Sequence, residues 1–199
     1  MLSMIWELPW AHFRVPGTVD VMCTTQTFGE PPRTTVVGAL ESLAGDESGA
    51  FATSGSKLAY GWVQRPRGRG EILRKDHVVA SGGVGSPPML TRPTKKVVLY
   101  GMILRIVVDG PYEEPLRAAL RGERARYGGP LYLGESDNPV EWIAEDVAPT
   151  EWLVKGKRMS LPIYVPPKRG FNSYGDRTVK YGRFDLSAPS LEVPEAAWI

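Results

Sequence analysis

The chain has 199 residues, 42% of them hydrophobic and 10% aromatic, and a formal net charge of +2. This composition is that of a globular protein with a sizeable core rather than a disordered chain, and the single cysteine, Cys23, excludes an internal disulfide. The longest apolar run, residues 97–108, is too short to span a bilayer, and the first ten residues lack the basic start of a signal peptide, so we expect a cytoplasmic protein that contacts no membrane.

The first well-marked element is a helix that follows a proline pair. Residues 1–15, rich in aromatic and branched side chains, predict a strand that is broken near Pro9, and Pro31-Pro32 then ends a loop. The helix is predicted to open at Arg33 with a threonine N-cap and to end at Gly45, with its apolar residues on one face. Its free N-terminal amides beside Arg33 predict a phosphate site.

An unusual arm separates the next two predicted strands. Residues 57–63 predict a strand, and residues 64–96, rich in glycine and proline, carry a cluster of basic side chains. Structureless loops of this length are uncommon inside compact domains, so we expect a projecting hairpin or flexible arm. Residues 97–108 then predict a long strand, because branched side chains dominate them.

The remaining elements complete a recognisable order. Residues 113–121 predict a second helix ended by Gly122, residues 131–133 predict a short strand, and later strands are short. The order β-α-β-arm-β-α-β is that of the ferredoxin-like fold, which RNA-recognition domains also use. We therefore predict an α+β fold, with a ferredoxin-like domain at residues 1–136, an inserted arm at 64–96 and a β-rich C-terminal extension at 137–199.

The charges of the chain are segregated. Residues 62–96, the first basic segment, hold eight basic residues against two acids, and residues 155–183, the second basic segment, hold eight against one. The other 135 residues carry eight basic and 19 acidic side chains. Aromatic side chains interleave the second segment, and RNA binding by phosphate contacts and base stacking needs this combination, although solvated surface is the ordinary explanation of basic clusters.

No standard catalytic motif is present. One cysteine and two histidines cannot form the usual Cys/His zinc cage, and no phosphate-binding loop is found, so we expect neither a metal nor another cofactor. His12 lies in the first predicted strand, where most histidines are structural or merely exposed. His77, beside Lys75 in the arm, is a candidate for metal-independent RNA cleavage, which needs a base for the 2′-hydroxyl and a cation for the phosphate.

Four stretches of the sequence resemble one protein family. The first three are PWAHFR at residues 9–14, TTQTF at 24–28 and PPRTTVVGAL at 31–40, and the fourth is YGGPLYLGES at 127–136. The first three resemble the N-terminal signature of CRISPR-associated protein 5, the RAMP-superfamily subunit of type I Cascade complexes. Their residues are most similar to those of type I-B members. The fourth is similar to the glycine-containing motif of that family.

The resemblance implies an RNA-recognition-like domain with a β-hairpin thumb, placed here at residues 64–96. It implies an antiviral role in which the subunit holds the 5′ handle of the CRISPR RNA, caps the backbone subunits, contacts the large subunit and meets target DNA only through the complex. One subtype cuts the precursor RNA with a Tyr/Lys/His group that has no match here, so a non-catalytic subunit is expected, with an endoribonuclease using His77 and Lys75 as the alternative. A stand-alone RNA-binding domain is the third hypothesis. The expected RNA-binding residues are Arg14, Arg33, Thr34, Thr35, Arg65, Arg67, Arg69, Arg74, Lys75, Arg92, Lys95, Lys96, Lys168, Arg169, Phe171 and Tyr174.

Overall fold

The computed structural model describes residues 1–13, 15, 24–47, 49–78, 90–124, 130–133, 138–164 and 180–199, with the backbone alone at 24–25, 74–78, 90–94 and 164. The helices in these ranges are α1 (Arg33–Ala44), α2 (Ala50–Thr53) and α3 (Glu113–Leu120), with a short 3₁₀ helix at Glu195–Ala197. The strands are β1 (Leu2–Ala11), β2 (Thr24–Thr25), β3 (Lys57–Gln64), β4 (Gly68–Val78), β5 (Leu90–Asp109), β6 (Trp142–Glu145), β7 (Glu151–Tyr164) and β8 (Lys180–Leu186).

One large sheet is built around β5. The strands follow the order β6-β1-β5-β3-β7-β8, and every neighbouring pair in this path is antiparallel. The second half of β5 lies between β1 and β3, and its first half pairs with β4, from Leu90 opposite Val78 to Tyr100 opposite Gly68. β2 runs parallel to β5. The described residues thus form a mixed α/β fold with a large, mainly antiparallel sheet and few helices.

The main apolar core lies between one face of the sheet and the helices. Alternate residues of β1 from Leu2 to Leu8 are fully buried, as the two-residue period of a strand requires. The apolar face of α1, from Val36 to Leu43, packs into the same cluster, and α3 contributes Leu116. The helices therefore occupy one side of the sheet, and any ligand surface must lie on its other side or at its edges.

The opposite face of the sheet is covered in part by the C-terminal part of the chain. Arg105 of β5 is buried there, and its Nε donates to Ser3 Oγ at 2.9 Å. Its Nη1 donates to the carbonyl oxygens of Ala148 at 2.8 Å and Leu191 at 2.9 Å, and the guanidinium carbon lies 4.9 Å from the ring centroid of Trp152. Burial lowers the pKa of Arg105. The C-terminal part of the chain therefore covers this part of the sheet face.

Both predicted helices and the second predicted strand are confirmed. α1 opens at Arg33 and ends before Gly45, whose φ of 75° is the left-handed conformation that glycine adopts without a steric cost. α3 covers Glu113–Leu120 and β3 covers Lys57–Gln64. The predicted strand at 97–108 is the second half of β5, which begins seven residues earlier, at Leu90.

The predicted break of the first strand near Pro9 is wrong, since β1 continues from Leu2 to Ala11. The carbonyl of Glu7 accepts a hydrogen bond from the amide of Glu141, just before β6. Backbone groups two residues apart point to the same side of a strand, so the nitrogen of Pro9 also points to that side, beyond the stretch that β6 pairs. Because no ladder donor is required there, proline is tolerated.

The predicted threonine N-cap is also wrong. The N-cap of α1 is Pro32, without a side-chain cap hydrogen bond, so Thr34 and Thr35 lie in the first turn of the helix. Pro32 offers no side-chain acceptor to the amides of the first turn, and the amide of Thr35 donates instead to the carbonyl of Pro32 at 2.9 Å.

The predicted strand at residues 131–133 is an isolated bridge, Tyr132 opposite Pro139, and the strand beside β1 is β6 instead. Leu131 and Leu133 are buried in the main core. Their apolar character thus reflects packing of a loop, which a short apolar run in a sequence does not distinguish from a strand.

Candidate nucleic-acid interface

The predicted arm contains a two-stranded ladder, named here the β4–β5 ladder, in which residues 68–78 pair with residues 90–100. β4 follows β3 along the same edge of β5, so this ladder continues the main sheet past the end of β3. In its register Lys75 is opposite Pro93 and His77 is opposite Thr91. The side chains of Arg74, Lys75, His77 and Arg92 lie outside the described residues, and their predicted roles stay predictions.

Three predicted arginines lie at the base of the β4–β5 ladder, where β3 passes into β4. Arg65, Arg67 and Arg69 all have exposed side chains. Arg65 forms an ion pair with Glu151 of β7, whereas within the described part of the chain neither Arg67 nor Arg69 has an acidic side chain at salt-bridge distance. Two of the three guanidinium groups can therefore meet phosphates without first breaking an ion pair.

A cleft of about 270 Å³ separates these arginines from the loop before α1. Its lining includes Gly29, Glu30, Arg65, Arg69 and Leu99. Burial raises the pKa of Glu30 above its usual 4.5, and the charges of Arg65 and Arg69 oppose that rise. A carboxylate in this cleft weakens its attraction for an anion, so the exposed rim, rather than the cleft itself, is the better phosphate surface.

A pair of exposed aromatic side chains at the same place is absent from the predicted set. Trp10 of β1 lies directly opposite Tyr100 of β5, and the two side chains are 41% and 46% exposed. A Cβ at Gly68 would lie 2.2 Å from the Tyr100 hydroxyl oxygen, so glycine at this position gives the tyrosine ring its space against β4. Arg69 is paired with the buried Leu99 and Gly68 with Tyr100, so the rings lie on the face of the ladder opposite to Arg69. Exposed rings suit the stacking of unpaired bases. In the sequence, the alternation Arg-Gly-Arg-Gly at 67–70 is the signal that could have indicated a surface of this kind.

The two lysines at the end of the predicted arm differ in environment. Lys95 is exposed, with its Nζ 3.3 Å from Glu71 Oε2, and Lys96 is buried, with 4% of its surface exposed. An exposed ion pair contributes little stability, so Lys95 can exchange Glu71 for a phosphate at small cost.

A further set of predicted RNA-binding residues lies in the first turn of α1. Arg33, Thr34 and Thr35 are half-buried, and the amide of Thr35 donates to the carbonyl of Pro32 at 2.9 Å. The amides of Arg33 and Thr34 come earlier in the helix and have no acceptor in the described part of the chain. The buried hydroxyl of Tyr60 donates to the carbonyl of Pro31 at 3.0 Å, and burial raises the pKa of Tyr60, so this support of the helix start stays protonated.

A larger cavity, named here the basic pocket, opens between the start of α1 and the ladder of β7 and β8. It has a volume of about 510 Å³, and Arg33, Lys155 and Arg183 line it together with Ile163 and Phe184. Lys155 and Arg183 belong to the second basic segment but are not among the predicted site residues. The residues predicted from that segment, together with one from the first motif, lie outside the described residues: Lys168, Arg169, Phe171, Tyr174 and Arg14.

Of the two roles expected for His12, structural or merely exposed, the structure shows the structural one. It is fully buried, and its Nδ1 donates to the carbonyl of Val97 at 2.6 Å, since a carbonyl can only accept. In the described residues no three His, Cys, Asp or Glu side chains are grouped closely enough to hold a metal ion. The helices described here are too short or too polar to cross a bilayer.

One of the comparisons with known proteins identifies the fold. No family model and no curated protein matches the sequence. A chain of a CRISPR RNA-guided surveillance complex matches the structure with a TM-score of 0.65 at 16% sequence identity, over 98% of this chain and 92% of that chain. A solved structure of a Cas protein aligns with a TM-score of 0.47 at 13% identity, over 96% of this chain and 95% of that chain. The chain therefore shares its fold, over nearly its whole length, with a component of an RNA-guided complex.

Proposed function

We propose that this protein is an RNA-binding structural subunit of a type I CRISPR effector complex, similar to CRISPR-associated protein 5, which holds the 5′ handle of the CRISPR RNA. The observation that carries the proposal is that the base of the β4–β5 ladder exposes arginines on one face and aromatic rings on the other. The shared fold with a chain of an RNA-guided complex and the sequence motifs support the same function. In this proposal the protein caps the backbone subunits, contacts the large subunit and works in the cytoplasm.

The ferredoxin-like interpretation belongs to this proposal. The order β6-β1-β5-β3, with α1 between β1 and β3 and α3 between β5 and β6, is the arrangement of a βαββαβ unit. The β4–β5 ladder then takes the place of the thumb, and β7 and β8 are the C-terminal extension. The fourth strand, β6, comes from residues 137–199, so the boundary at residue 136 moves toward the C-terminus in this interpretation.

The assignment of RNA contacts rests on charge and exposure. The side chains of Arg67 and Arg69 are exposed and have no acidic side chain at salt-bridge distance in the described part of the chain, and Trp10 and Tyr100 present ring surface on the other face of the same ladder. Phosphate contacts fix the strand and stacked rings hold its bases, which needs no paired duplex. Arg14, Arg74, Lys75, Arg92, Lys168, Arg169, Phe171 and Tyr174 stay proposed contacts on the resemblance alone.

A binding experiment tests the RNA contacts. The affinity of a fluorescent single-stranded handle RNA is measured by anisotropy for the wild type, for Arg67→Ala/Arg69→Ala and for Arg121→Ala. Arg121 is the control because it is an exposed arginine on α3 that is ion-paired with Glu114 and Glu123. We expect the double variant to bind at least fivefold more weakly, with a salt slope smaller by about one to two units. Equal affinity of all three proteins contradicts the assignment.

Co-expression with the backbone and large subunits and a repeat array tests assembly. We expect the protein to co-purify in a stoichiometric complex that contains RNA. The endoribonuclease alternative predicts cleavage of labelled repeat RNA in EDTA by the wild type and none by His77→Ala. Tight binding with intact RNA contradicts that alternative, and the absence of both binding and co-purification contradicts the proposed function.

A further inference from the structure

We propose that the basic pocket binds one unstacked nucleotide of a single RNA strand, with the base against Ile163 and Phe184 and the phosphate among Arg33, Lys155 and Arg183. This inference rests on the proposed function for the identity of the polymer. It adds a second binding site at a different place from the base of the β4–β5 ladder.

The shape of the pocket depends on a glycine. A Cβ at Gly182 would lie 2.7 Å from the ring of Phe184 and 2.9 Å from Cγ2 of Ile163. The phenyl ring therefore packs against the bare backbone of β8, and only 4% of the Phe184 surface is exposed. Ile163, which is 40% exposed, completes an apolar wall that is part buried and part open to a ligand. Such a wall suits the flat face of a base.

The charges of the pocket favour an anion. Arg33, Lys155 and Arg183 all line it, and no acidic side chain is among the described residues of its lining. Arg183 Nη2 donates to the carbonyl of Lys157 at 2.6 Å, which orients the guanidinium and leaves its other donors for a ligand. An apolar ligand does not need three cations around its cavity. A phosphate and a neighbouring phosphate of the same strand can contact all three.

A carboxylate that packs against Gly156 of the pocket lining is already engaged. Asp185 accepts hydrogen bonds from the backbone amides of Lys157 at 3.2 Å and Arg158 at 2.8 Å. These bonds hold the irregular stretch where the register of β7 and β8 shifts between Lys155 and Met159. A Cβ at Gly156 would lie 2.3 Å from the carboxyl carbon of Asp185, so the carboxylate is packed against the backbone there. It holds the pocket wall and does not neutralise the three cations in the way a free acid would.

The size of the pocket agrees with a nucleotide. Its volume of about 510 Å³ falls in the range of roughly 300–1,000 Å³ that small-molecule sites occupy. A base, a ribose and a phosphate fill such a volume, and single-stranded RNA is read where its bases are splayed out and stacked on side chains. An acidic peptide of a partner protein has similar charge but lacks the flat ring of a base. Binding of such a peptide instead of a nucleotide is the competing outcome of the test.

The first test compares variants in handle-RNA binding. Lys155→Gln removes an exposed cation, with Lys57→Gln at the exposed start of β3 as its control. Gly182→Ala forces Phe184 or Ile163 to move into the pocket, with Gly38→Ala as its control, because nothing lies within 4 Å of a Cβ at Gly38. We expect each pocket variant to bind the RNA at least fivefold more weakly than its control. If Gly182→Ala melts earlier than the wild type, Lys155→Gln decides, because no contact of its side chain is lost in the described structure.

The second test uses small probes. Saturation-transfer NMR with UMP, uridine and inorganic phosphate measures binding to the wild type, Lys155→Gln and Lys57→Gln. We expect transfer to the base protons of UMP, at least threefold less with uridine or with Lys155→Gln, and partial competition by phosphate. Equal transfer from UMP and uridine to all three proteins overturns the inference. So does a Glu/Phe peptide that binds with the same dependence on Lys155 while UMP does not bind.

The two proposals fail separately. If the wild type binds handle RNA and both pocket variants bind it as tightly, with no transfer to UMP, the pocket inference fails and the proposed function stands. If UMP binds in a Lys155-dependent way but neither handle RNA nor partner subunits bind, the pocket stands and the proposed function fails.

Discussion

Arg105 provides the sharpest test of how the C-terminal part of the chain is attached to the sheet. Its guanidinium makes three hydrogen bonds, to Ser3 Oγ and to the carbonyls of Ala148 and Leu191, and lies over Trp152. Replacement by methionine keeps much of the volume and removes all three bonds. Leu191 lies in the same C-terminal segment as Ile199, which lines the basic pocket.

The magnitude follows from two opposing terms. Hydrogen bonds to a charged group are worth about 1.5–3 kcal/mol each. Loss of the guanidinium removes the donor to the part-buried carbonyl of Leu191, whereas the carbonyl of Ala148 keeps its hydrogen bond from Thr150 Oγ1 at 2.8 Å. The removal of a buried cation recovers a desolvation cost of several kcal/mol. We expect Arg105→Met to lower the free energy of unfolding by about 2–4 kcal/mol, a large fraction of the stability of a domain.

Urea unfolding followed by tryptophan fluorescence measures this change. With a slope of about 2 kcal/mol per molar urea, the midpoint is expected to fall by about 1–2 M. Arg105→Lys keeps the charge without the planar fork and is expected to lie between the two, and Arg121→Met on the surface of α3 is expected to leave the midpoint unchanged. If Arg105→Met unfolds at the wild-type midpoint or above it, desolvation outweighs the bonds and this account of the attachment is wrong.

Three further predictions concern the proposed RNA surface. Burial raises the pKa of Glu30, so its ionisation destabilises the fold as pH rises through that pKa; Glu30→Gln is expected to unfold at a higher urea concentration than wild type at pH 7, to lose that advantage below the usual 4.5, and to bind RNA more tightly. The logarithm of the RNA association constant is expected to fall with log salt at a slope of about −4, for about six phosphate contacts to a single strand, and a slope near zero contradicts a phosphate-binding role. Trp10→Ala is expected to weaken handle-RNA binding about tenfold, from a stacking contribution of about 1–3 kcal/mol per base. The matched control, Trp142→Ala on β6, removes a ring of similar exposure and is expected to bind like the wild type. An equal loss of affinity in both variants refutes the stacking role.

Local signals in the sequence were sufficient where the physical cause is itself local. The end of α1 at Gly45 follows from the left-handed conformation that glycine permits, and its apolar face follows from the 3.6-residue period. The strand predicted at residues 131–133 shows the limit of such signals, because β6 is the strand that pairs with β1 instead. Buried leucines in a packed loop have the same local pattern as a short strand, and only the pairing with β1 distinguishes them.

The candidate sites depended on contacts between distant parts of the chain. The sequence indicated which segments are basic, but the ion pair of Arg65 with Glu151 and the burial of Lys96 are properties of the folded sheet. In the same way, Trp10 and Tyr100 become neighbours only through the register of β1 and β5.

The sequence by itself determined the α+β class, the positions of both predicted helices and the separation of basic from acidic segments, because propensity, capping and charge act over a few residues. The tertiary structure alone decided which cations are free and which converge. Arg33 and Lys155 are more than a hundred residues apart, and they line one pocket because β7 joins the sheet at β3, on the side where α1 begins. Such a meeting follows from strand order and packing, which no local pattern in the chain encodes.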